Sequence, residues 1–191
     1  MTYVDQPLGQ FLDDVAARRP APGAGAVAAL TVAAAAGLTA MTARFSDRLA
    51  GAESACGRAE ALRQRATRLA DADAKAYGDV LAAYRAARHD GNGGGRVRET
   101  LTAATEIPLA IVDCARQVAD IGVPLATGGN PSLRGDAITA VMLAEAAAVS
   151  AAHLVRINTR LGNLDDEHAQ TADIWCAEAR DAAHQLRSVI T

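Results

Sequence analysis

The stretch Ala24-Gly-Ala-Val-Ala-Ala-Leu-Thr-Val-Ala-Ala-Ala-Ala-Gly-Leu-Thr-Ala-Met-Thr-Ala43 decides the fold, because 20 successive positions carry no charge. Alanine is the strongest helix former, so the stretch predicts a helix. Apolar residues on nearly all of its sides predict burial at the centre of a bundle. Its length also matches a membrane span. We favour the buried helix, since the stretch is rich in alanine rather than leucine, contains three threonines and follows a proline–glycine turn.

The composition extends this expectation to the whole chain. Alanine makes up about a quarter of the 191 residues, while aromatic residues, which favour strands, make up 3%. With 50% hydrophobic and 21% charged residues, the chain has enough apolar surface to fold. The sequence therefore predicts an all-α protein without strands.

The hydrophobic spacing predicts six helices that form an antiparallel bundle, in a single domain over residues 1–191. Pro108 should kink or divide the fourth helix, and Gly122-Val-Pro124 should end it. Asn130 should cap the fifth helix with Pro131 in its first position, and Gly162-Asn163 should end it. The six helices are expected at about 7–18, 25–46, 52–89, 96–121, 131–161 and 166–189.

Charge and cysteine usage exclude several classes of protein. The net charge of −3 and the lack of a basic stripe argue against a nucleic-acid partner. Cys56, Cys114 and Cys176 are isolated, which predicts reduced thiols, and no Cys/His cluster has the spacing of a metal site. The glycine-rich segment 90–95 lacks the strand and the Lys-Ser/Thr pair of a phosphate loop. With no signal peptide visible, we expect a cytoplasmic protein that binds no membrane.

Asp73 is the most informative single residue. Asp71 lies about 200° away around the same helix and should be solvated. A carboxylate on a buried stripe is costly unless it is paired, hydrogen-bonded or protonated, and such groups are frequent in active sites. Two interpretations stay open, a catalytic aspartate and a structural one that bonds a backbone N–H or an arginine. The apolar stripe that includes Asp73 reads Leu62, Ala66, Leu69, Asp73, Ala76/Tyr77, Val80 and Tyr84.

Two further segments carry polar or backbone groups suited to binding. The turn Pro22-Gly-Ala-Gly25 opens the second helix, where free N–H groups hold a carbonyl oxygen or an anion, or where a tight turn merely joins two helices. Asn130, Ser132, Arg134 and Asp136 crowd one loop and the first helical turns after it, either as a cap or as a binding site.

The fifth helix carries Glu145, Arg156 and Asn158 within apolar stripes, of which the one with Asn158 also holds Leu154 and Leu161. Each polar residue is either part of a site or a structural partner between helices. Asp136 and Asn158 are about 33 Å apart along a straight helix, so they serve one small ligand only if two subunits share a site. The four histidines have neither metal nor triad spacing.

Three segments together resemble the C-terminal family of formiminotransferase-cyclodeaminase, which includes stand-alone methenyltetrahydrofolate cyclohydrolases. The turn Pro20-Ala-Pro-Gly-Ala-Gly-Ala-Val-Ala-Ala29 is similar to the proline/glycine turn of the family, and Asp71-Ala-Asp-Ala-Lys-Ala-Tyr77 to its Asp-x-Asp-Ala-x-Ala-Phe segment. Pro108 fits its Val-Pro-Leu break. The third region comprises Gly129-Asn130, Asp136 and Val155-Arg-Ile-Asn158, and the order and spacing agree from about residue 5 to 185.

The resemblance implies an all-helical homodimer that acts on the one-carbon unit of tetrahydrofolate, with no cofactor besides that substrate. Family members close 5-formiminotetrahydrofolate to the methenyl form with loss of ammonia, or interconvert the methenyl and 10-formyl forms. Asp73 matches the family's catalytic aspartate and would act as general acid and base. The expected substrate-binding residues are Pro22, Gly23 and Gly25 of the turn, Asn130 and Asp136 at the pterin edges, and Lys75 or Arg134 at the glutamate carboxylates.

The turn departs from the family pattern at two positions. Ala24 replaces a glycine and would be strained if the backbone there were left-handed. Ala26 replaces a serine and removes a hydroxyl. A non-catalytic helical dimer that binds folate or a partner, and an enzyme for another ring-closing or ring-opening reaction, are therefore the alternatives.

Overall fold

The computed structural model describes residues 2–90 and 94–190, and within these ranges it contains helices and no strand. Two single-turn 3₁₀ helices, Tyr3–Asp5 and Pro131–Leu133, accompany the longer elements. The prediction of an all-α fold is confirmed. The six α-helices are α1 (Leu8–Ala16), α2 (Ala24–Arg44), α3 (Ala52–Asp90), α4 (Gly94–Gly128), α5 (Arg134–Gly162) and α6 (Glu167–Ile190).

The charge-free stretch forms α2, which packs against α3, α4 and α5. Its residues Val32, Ala35 and Ala36 are completely inaccessible to solvent, as the sequence predicted for a central helix. Small side chains let the neighbouring helices approach closely, so that alanines form much of the core. By length and composition alone, α2 and the region from Pro131 to Gly162 would each be able to cross a membrane.

The main difference from the predicted helices lies in α4. The expected end at Gly122-Val-Pro124 was wrong, since α4 continues to Gly128 with both Pro108 and Pro124 inside it. Pro108 does not divide α4 into two helices. Each proline removes one backbone hydrogen bond, a local cost that buried packing around the helix outweighs. Leu125 in the last turn is 2% exposed, which shows that tertiary contacts hold the segment after Pro124.

The ends of α5 follow the predicted signals. The Asn130 side chain accepts a hydrogen bond from the Ser132 N–H at 3.0 Å, and Pro131 follows directly. This cap opens a 3₁₀ turn, and the α-helix itself begins at Arg134. At the other end Asn163 adopts a left-handed conformation with φ of 46°. Residues 91–93 of the glycine-rich connection lie outside the described ranges.

The three cysteines are free thiols, as predicted. Cys114 on α4 is fully buried, and burial raises the pKa of its thiol to about 11. Since the thiolate is the reactive form, Cys114 is chemically inert in the folded protein.

A network of charges ties α3, α4 and α6 together. The Asp113 carboxylate of α4 accepts hydrogen bonds from Arg65 of α3 at 2.7 Å and from Arg116 at 2.8 Å. Arg116 also lies over the ring of Trp175 on α6, 5.0 Å from its centroid, and pairs with Glu178 at 3.3 Å. Burial raises the pKa of Asp113, but the hydrogen bonds from Arg65 and Gln117 and the charge of Arg116 outweigh it and hold this pKa below its ordinary value.

We expect Asp113→Ala to lower the free energy of unfolding by about 1–3 kcal/mol, because two arginines lose a shared acceptor. Asp120→Ala is the matched control on the same helix, since its ion pair with Arg58 is largely exposed and is expected to contribute less than about 1 kcal/mol. Urea unfolding at neutral pH measures both values.

The lowered pKa of Asp113 also fixes the sign of a pH effect. Its stabilisation is present above the unfolded-state pKa of about 4 and is lost as the pH falls through the lower folded-state pKa. The difference between wild type and Asp113→Ala should therefore shrink in acid. An equal effect of the two substitutions, or a difference that grows in acid, would contradict this account.

Candidate functional site

Asp73 lies on the inward stripe of α3, as its spacing predicted. Leu62, Ala66 and Val80 on this stripe are 7%, 0% and 7% exposed, and Asp73 between them is half-buried. Its carboxylate reaches the first turn of α2. The Asp73 carboxylate therefore lies where the apolar face of α3 meets the N-terminus of α2.

The turn before α2 brings backbone rather than side chains to this carboxylate. Gly23 is the residue before the helix, with φ of −118°, and Ala24 is the first helical residue. The described residues have positive φ only at Gly51 and Asn163, so Ala24 is not strained. Ala26 is fully buried, and its N–H donates a hydrogen bond to the Asp73 carboxylate.

Gly25 is required for this contact. A Cβ atom built on Gly25 would overlap the carboxylate of Asp73, with Oδ2 only 2.7 Å away and the other carboxylate atoms closer still. The absence of a side chain at position 25 therefore lets Asp73 approach the N-terminus of α2. At this end of a helix, the unpaired N–H groups and the helix dipole favour a negative charge.

Burial and hydrogen bonding act on Asp73 in opposite directions. Burial is the larger effect and raises the pKa of the carboxyl group, while the Ala26 N–H lowers it in part. The net shift is upward from the ordinary value. A carboxyl group with a raised pKa exchanges its proton closer to neutral pH, which suits a general acid and base.

Asp73 opens into a pocket of about 450 Å³, within the size range of small-molecule sites. Among the described residues of its wall, Asp73 is the one carboxylate, and the other polar side chains are Tyr77, Tyr84 and Asn158. Apolar residues of α4 and α5 complete the wall. The pocket is lined by Pro20, Ala21, Gly23, Ala24, Gly25, Asp73, Ala74, Ala76, Tyr77, Val80, Leu81, Tyr84, Leu101, Ala104, Pro108, Leu154, Ile157, Asn158 and Leu161.

The pocket suits a flat, largely apolar ligand with a reacting centre near Asp73. Tyr77 and Tyr84 supply aromatic faces, and Leu101 and Leu154 supply aliphatic surface. Within the described ranges no three His, Cys, Asp or Glu side chains are grouped as metal ligands would be. The chemistry available to this arrangement is proton transfer by the Asp73 carboxylate inside a mostly apolar cavity.

Gly23 and Gly25 line this pocket as expected, but the other turn and helix residues lie differently. Pro22 is buried and faces a separate groove between α2 and α5. Lys75 is exposed and pairs with Asp79 at 2.8 Å rather than lining the pocket. A role for Pro22 or Lys75 in binding substrate stays a prediction.

Asn130, Arg134 and Asp136 lie at the opposite end of the subunit. Asn130 Nδ2 donates to the carbonyl of Phe45, the residue after α2, at 3.0 Å, whereas Gly25 is at the start of that helix. The two ends are about 30 Å apart along α2. One small ligand therefore cannot contact both groups within a single chain.

Two polar residues, Asp71 and Asn158, differ from the sequence analysis or extend it. Asp71 was expected in solvent, but it is partly buried and accepts a hydrogen bond from the Tyr3 N–H at 2.9 Å. The periodicity of α3 could not predict this contact, because Tyr3 lies 68 residues before Asp71 in the sequence. Asn158 lines the pocket with Leu154 and Leu161, so the polar break in that stripe was the available signal.

Glu145 and Arg156, whose roles the sequence left open, form ion pairs between α5 and α6. Glu145 pairs with Arg187, and Arg156 pairs with Asp173. Neither residue lines the Asp73 pocket. Both side chains therefore have a structural partner between helices.

Gly25→Ala is expected to destabilise the protein by about 1–3 kcal/mol, because the new methyl group overlaps Asp73. The control is Gly78→Ala in α3, where a Cβ meets nothing within 4 Å and alanine should add up to about 1 kcal/mol. Urea unfolding compares them. Adding Asp73→Ala to Gly25→Ala should recover part of the loss. The same cost in both Asp73 backgrounds would show that the overlap is not its cause.

Comparisons with known proteins show which family this chain resembles in sequence and fold. The family model described as formiminotransferase-cyclodeaminase matches residues 7–173. A methenyltetrahydrofolate cyclohydrolase from Methylorubrum extorquens is 30% identical, over 85% of this chain and 82% of that protein. The crystal structure of formiminotetrahydrofolate cyclodeaminase from Thermotoga maritima has a TM-score of 0.85 and 26% identity, over 96% of this chain and 94% of that one. The chain belongs to the formiminotransferase-cyclodeaminase family.

Proposed function

We propose that this chain is a methenyltetrahydrofolate cyclohydrolase, which opens the one-carbon bridge of 5,10-methenyltetrahydrofolate with water. The observation that carries the proposal is the Asp73 carboxylate, seated at the N-terminus of α2 and open to an apolar pocket. The similarity to the Methylorubrum cyclohydrolase supports this choice of reaction within the family.

The charge of the pocket suits the methenyl substrate, which is a cation. Among the described residues that line it, Asp73 carries the only carboxyl group, and none is a lysine, arginine or histidine. A carboxylate in a mostly apolar cavity stabilises a nearby positive charge more strongly than it would in water. Tyr77 and Tyr84 provide aromatic surface for the flat pterin ring.

In this mechanism Asp73 moves one proton in each direction. Its carboxylate takes a proton from a water molecule as the water oxygen bonds to the methenyl carbon. The resulting hydroxyl intermediate then breaks its bond from carbon to N5, and Asp73 returns its proton to N5. The hydroxyl oxygen becomes the formyl C=O of 10-formyltetrahydrofolate, and its remaining proton is released to solvent. The raised pKa of Asp73 helps the first step, because a carboxylate with a higher pKa is a stronger base toward the proton of the water molecule.

A second candidate reaction is the cyclodeamination of 5-formiminotetrahydrofolate, favoured by the close structural match to the Thermotoga cyclodeaminase. N10 would attack the formimino carbon, and Asp73 would carry the N10 proton to the departing ammonia. Both reactions use the same carboxylate. Neither reaction requires a cofactor besides the tetrahydrofolate substrate, and neither involves nucleic acid or a membrane. We therefore propose that the protein is cytoplasmic.

Purified protein should accelerate the loss of the ultraviolet absorbance of methenyltetrahydrofolate above the rate in buffer. Asp73→Asn should lower turnover by at least about 100-fold, because the amide cannot exchange the proton. Asp120→Asn, a change on the exposed surface of α4, is the control and should leave turnover unchanged. Ammonia release from 5-formiminotetrahydrofolate tests the second reaction. Wild-type protein inactive in both assays would favour the non-catalytic alternative, and near-normal turnover of Asp73→Asn would refute the role of Asp73.

Asp73→Asn should fold normally, since its amide oxygen still accepts the Ala26 N–H. The raised pKa of Asp73 means that the folded state binds this proton more tightly than the unfolded chain. Wild-type stability should therefore fall as the pH rises from about 4 through the folded-state pKa. The melting temperature of Asp73→Asn, relative to wild type, should rise over that interval.

We also propose that two copies form a two-fold homodimer through the face made by α2 and α5. This face includes a groove with an uncharged lining, in which Val27, Thr31 and Ser150 take part. Leu8 and Leu12 of the nearby α1 are 72% and 56% exposed and would be covered by the second copy. An axis across the middle of the face brings the Asn130 end of one copy to the Asp73 pocket of the other.

This arrangement would complete the site. The described lining of the Asp73 pocket includes no cation for the glutamate carboxylates of folate, and Arg134 stands near Asn130 and Asp136 at the other end of the chain. Arginine binds carboxylates in a bidentate manner. Each active site would then combine Asp73 of one copy with Asn130, Arg134 and Asp136 of the second.

Mixing two inactive variants tests the shared site. Asp73→Asn and Asp136→Asn, each inactive or weak alone, should recover about a quarter of wild-type activity after denaturation and refolding at equal amounts, because half of the dimers are mixed and each has one intact site. Light scattering should give twice the chain mass. A monomer, or a mixture no more active than its components, would contradict the shared site.

A further inference from the structure

Pro108 leaves one backbone carbonyl of α4 without its usual partner. Proline has no N–H, so the helical hydrogen bond from residue 108 to the carbonyl of Ala104 is missing. Both residues line the Asp73 pocket, and Ala104 is 7% exposed. A carbonyl at such a position needs a donor from elsewhere, because burying it unpaired is costly.

The donor comes from α5. Asn158 Nδ2 lies 3.5 Å from the Ala104 carbonyl oxygen, at the long end of the hydrogen-bond range. A carbonyl only accepts, so the NH₂ group of the Asn158 amide must face α4. The amide oxygen then points away from Ala104. Two motifs that lie 50 positions apart in the sequence, Pro108 and Asn158, thereby meet in one interaction.

The oriented amide adds an acceptor to the α4 and α5 side of the pocket. Asn158 is half-buried and lines the pocket from α5, whereas Asp73 lines it from α3. The remaining lining of α4 and α5 is apolar, so a donor group of a ligand has few partners on this side. A fixed acceptor in an apolar wall selects a ligand that presents an N–H group there.

We propose that Asn158 binds the substrate by accepting a hydrogen bond from an N–H group on the edge of its heterocycle, and that Pro108 is a positioning residue that fixes the Asn158 amide through the freed Ala104 carbonyl. The substrate class rests on the proposed function. The coupling between Pro108 and Asn158 does not, since it follows from the backbone chemistry of α4.

A double-mutant cycle separates the structural role from the binding role. Asn158→Ala alone leaves the Ala104 carbonyl unpaired and should lower stability. In the Pro108→Ala background the restored N–H of residue 108 bonds this carbonyl, so Asn158→Ala should cost measurably less stability there. Pro108→Ala itself should fold, because alanine suits a helix interior better than proline.

Binding should follow a different pattern in the same four proteins. Relative to wild type, Asn158→Ala should raise KM for methenyltetrahydrofolate, and the calorimetric Kd for the stable analogue 5-formyltetrahydrofolate, by about tenfold with or without Pro108→Ala, with a smaller change in kcat. Pro108→Ala alone should raise KM and Kd by releasing the amide. A purely structural Asn158 would instead give a double variant with normal Kd, which overturns the proposal.

The stability cycle and the binding assays also distinguish a failure of this proposal from a failure of the proposed reaction. Wild-type protein that neither turns over methenyltetrahydrofolate nor binds the analogue refutes the folate site, while the stability cycle still tests the link between Pro108 and Asn158. Equal stability costs of Asn158→Ala in both backgrounds would show that Asn158 does not bond the carbonyl, and would overturn the positioning role of Pro108.

Discussion

The packing of the Asp73 carboxylate against the first turn of α2 is the interaction on which the rest of the site depends. It requires a helix start without a side chain at position 25, because any Cβ there would occupy the space of the carboxylate. It also requires α2 to be buried, so that the carboxylate loses part of its hydration and its pKa rises. Gly25 and the uncharged stretch after it therefore contribute to the chemistry of Asp73 without any reactive group of their own.

Much of this was readable in the sequence because the signals are local. A charge-free stretch predicts a central helix, a three–four spacing places Asp73 inward, and Asn130 followed by Pro131 predicts a helix start. Each of these features depends on residues within a few turns of one another. The structure confirms all three.

The errors arose where distant residues decide the outcome. The end of α4 was placed too early, since Pro124 is a helix-breaking signal and the burial of Leu125 is a tertiary effect. Asp71 was assigned to solvent, although the Tyr3 N–H from the N-terminal segment bonds it. The sequence suggested that Asp136 and Asn158 are too far apart for one ligand, but which of them accompanies Asp73 depends on how α5 packs. Asn158 is the one that lines the pocket.

The single tryptophan of the chain has a practical consequence through its position. Trp175 lies on α6 against Arg116, and none of the described α6 residues lines the Asp73 pocket. Its indole emission thus reports on the contact between α4 and α6. The fluorescence of Trp175 can therefore be used to follow unfolding of the bundle, and it is a different signal from the absorbance of a bound pterin.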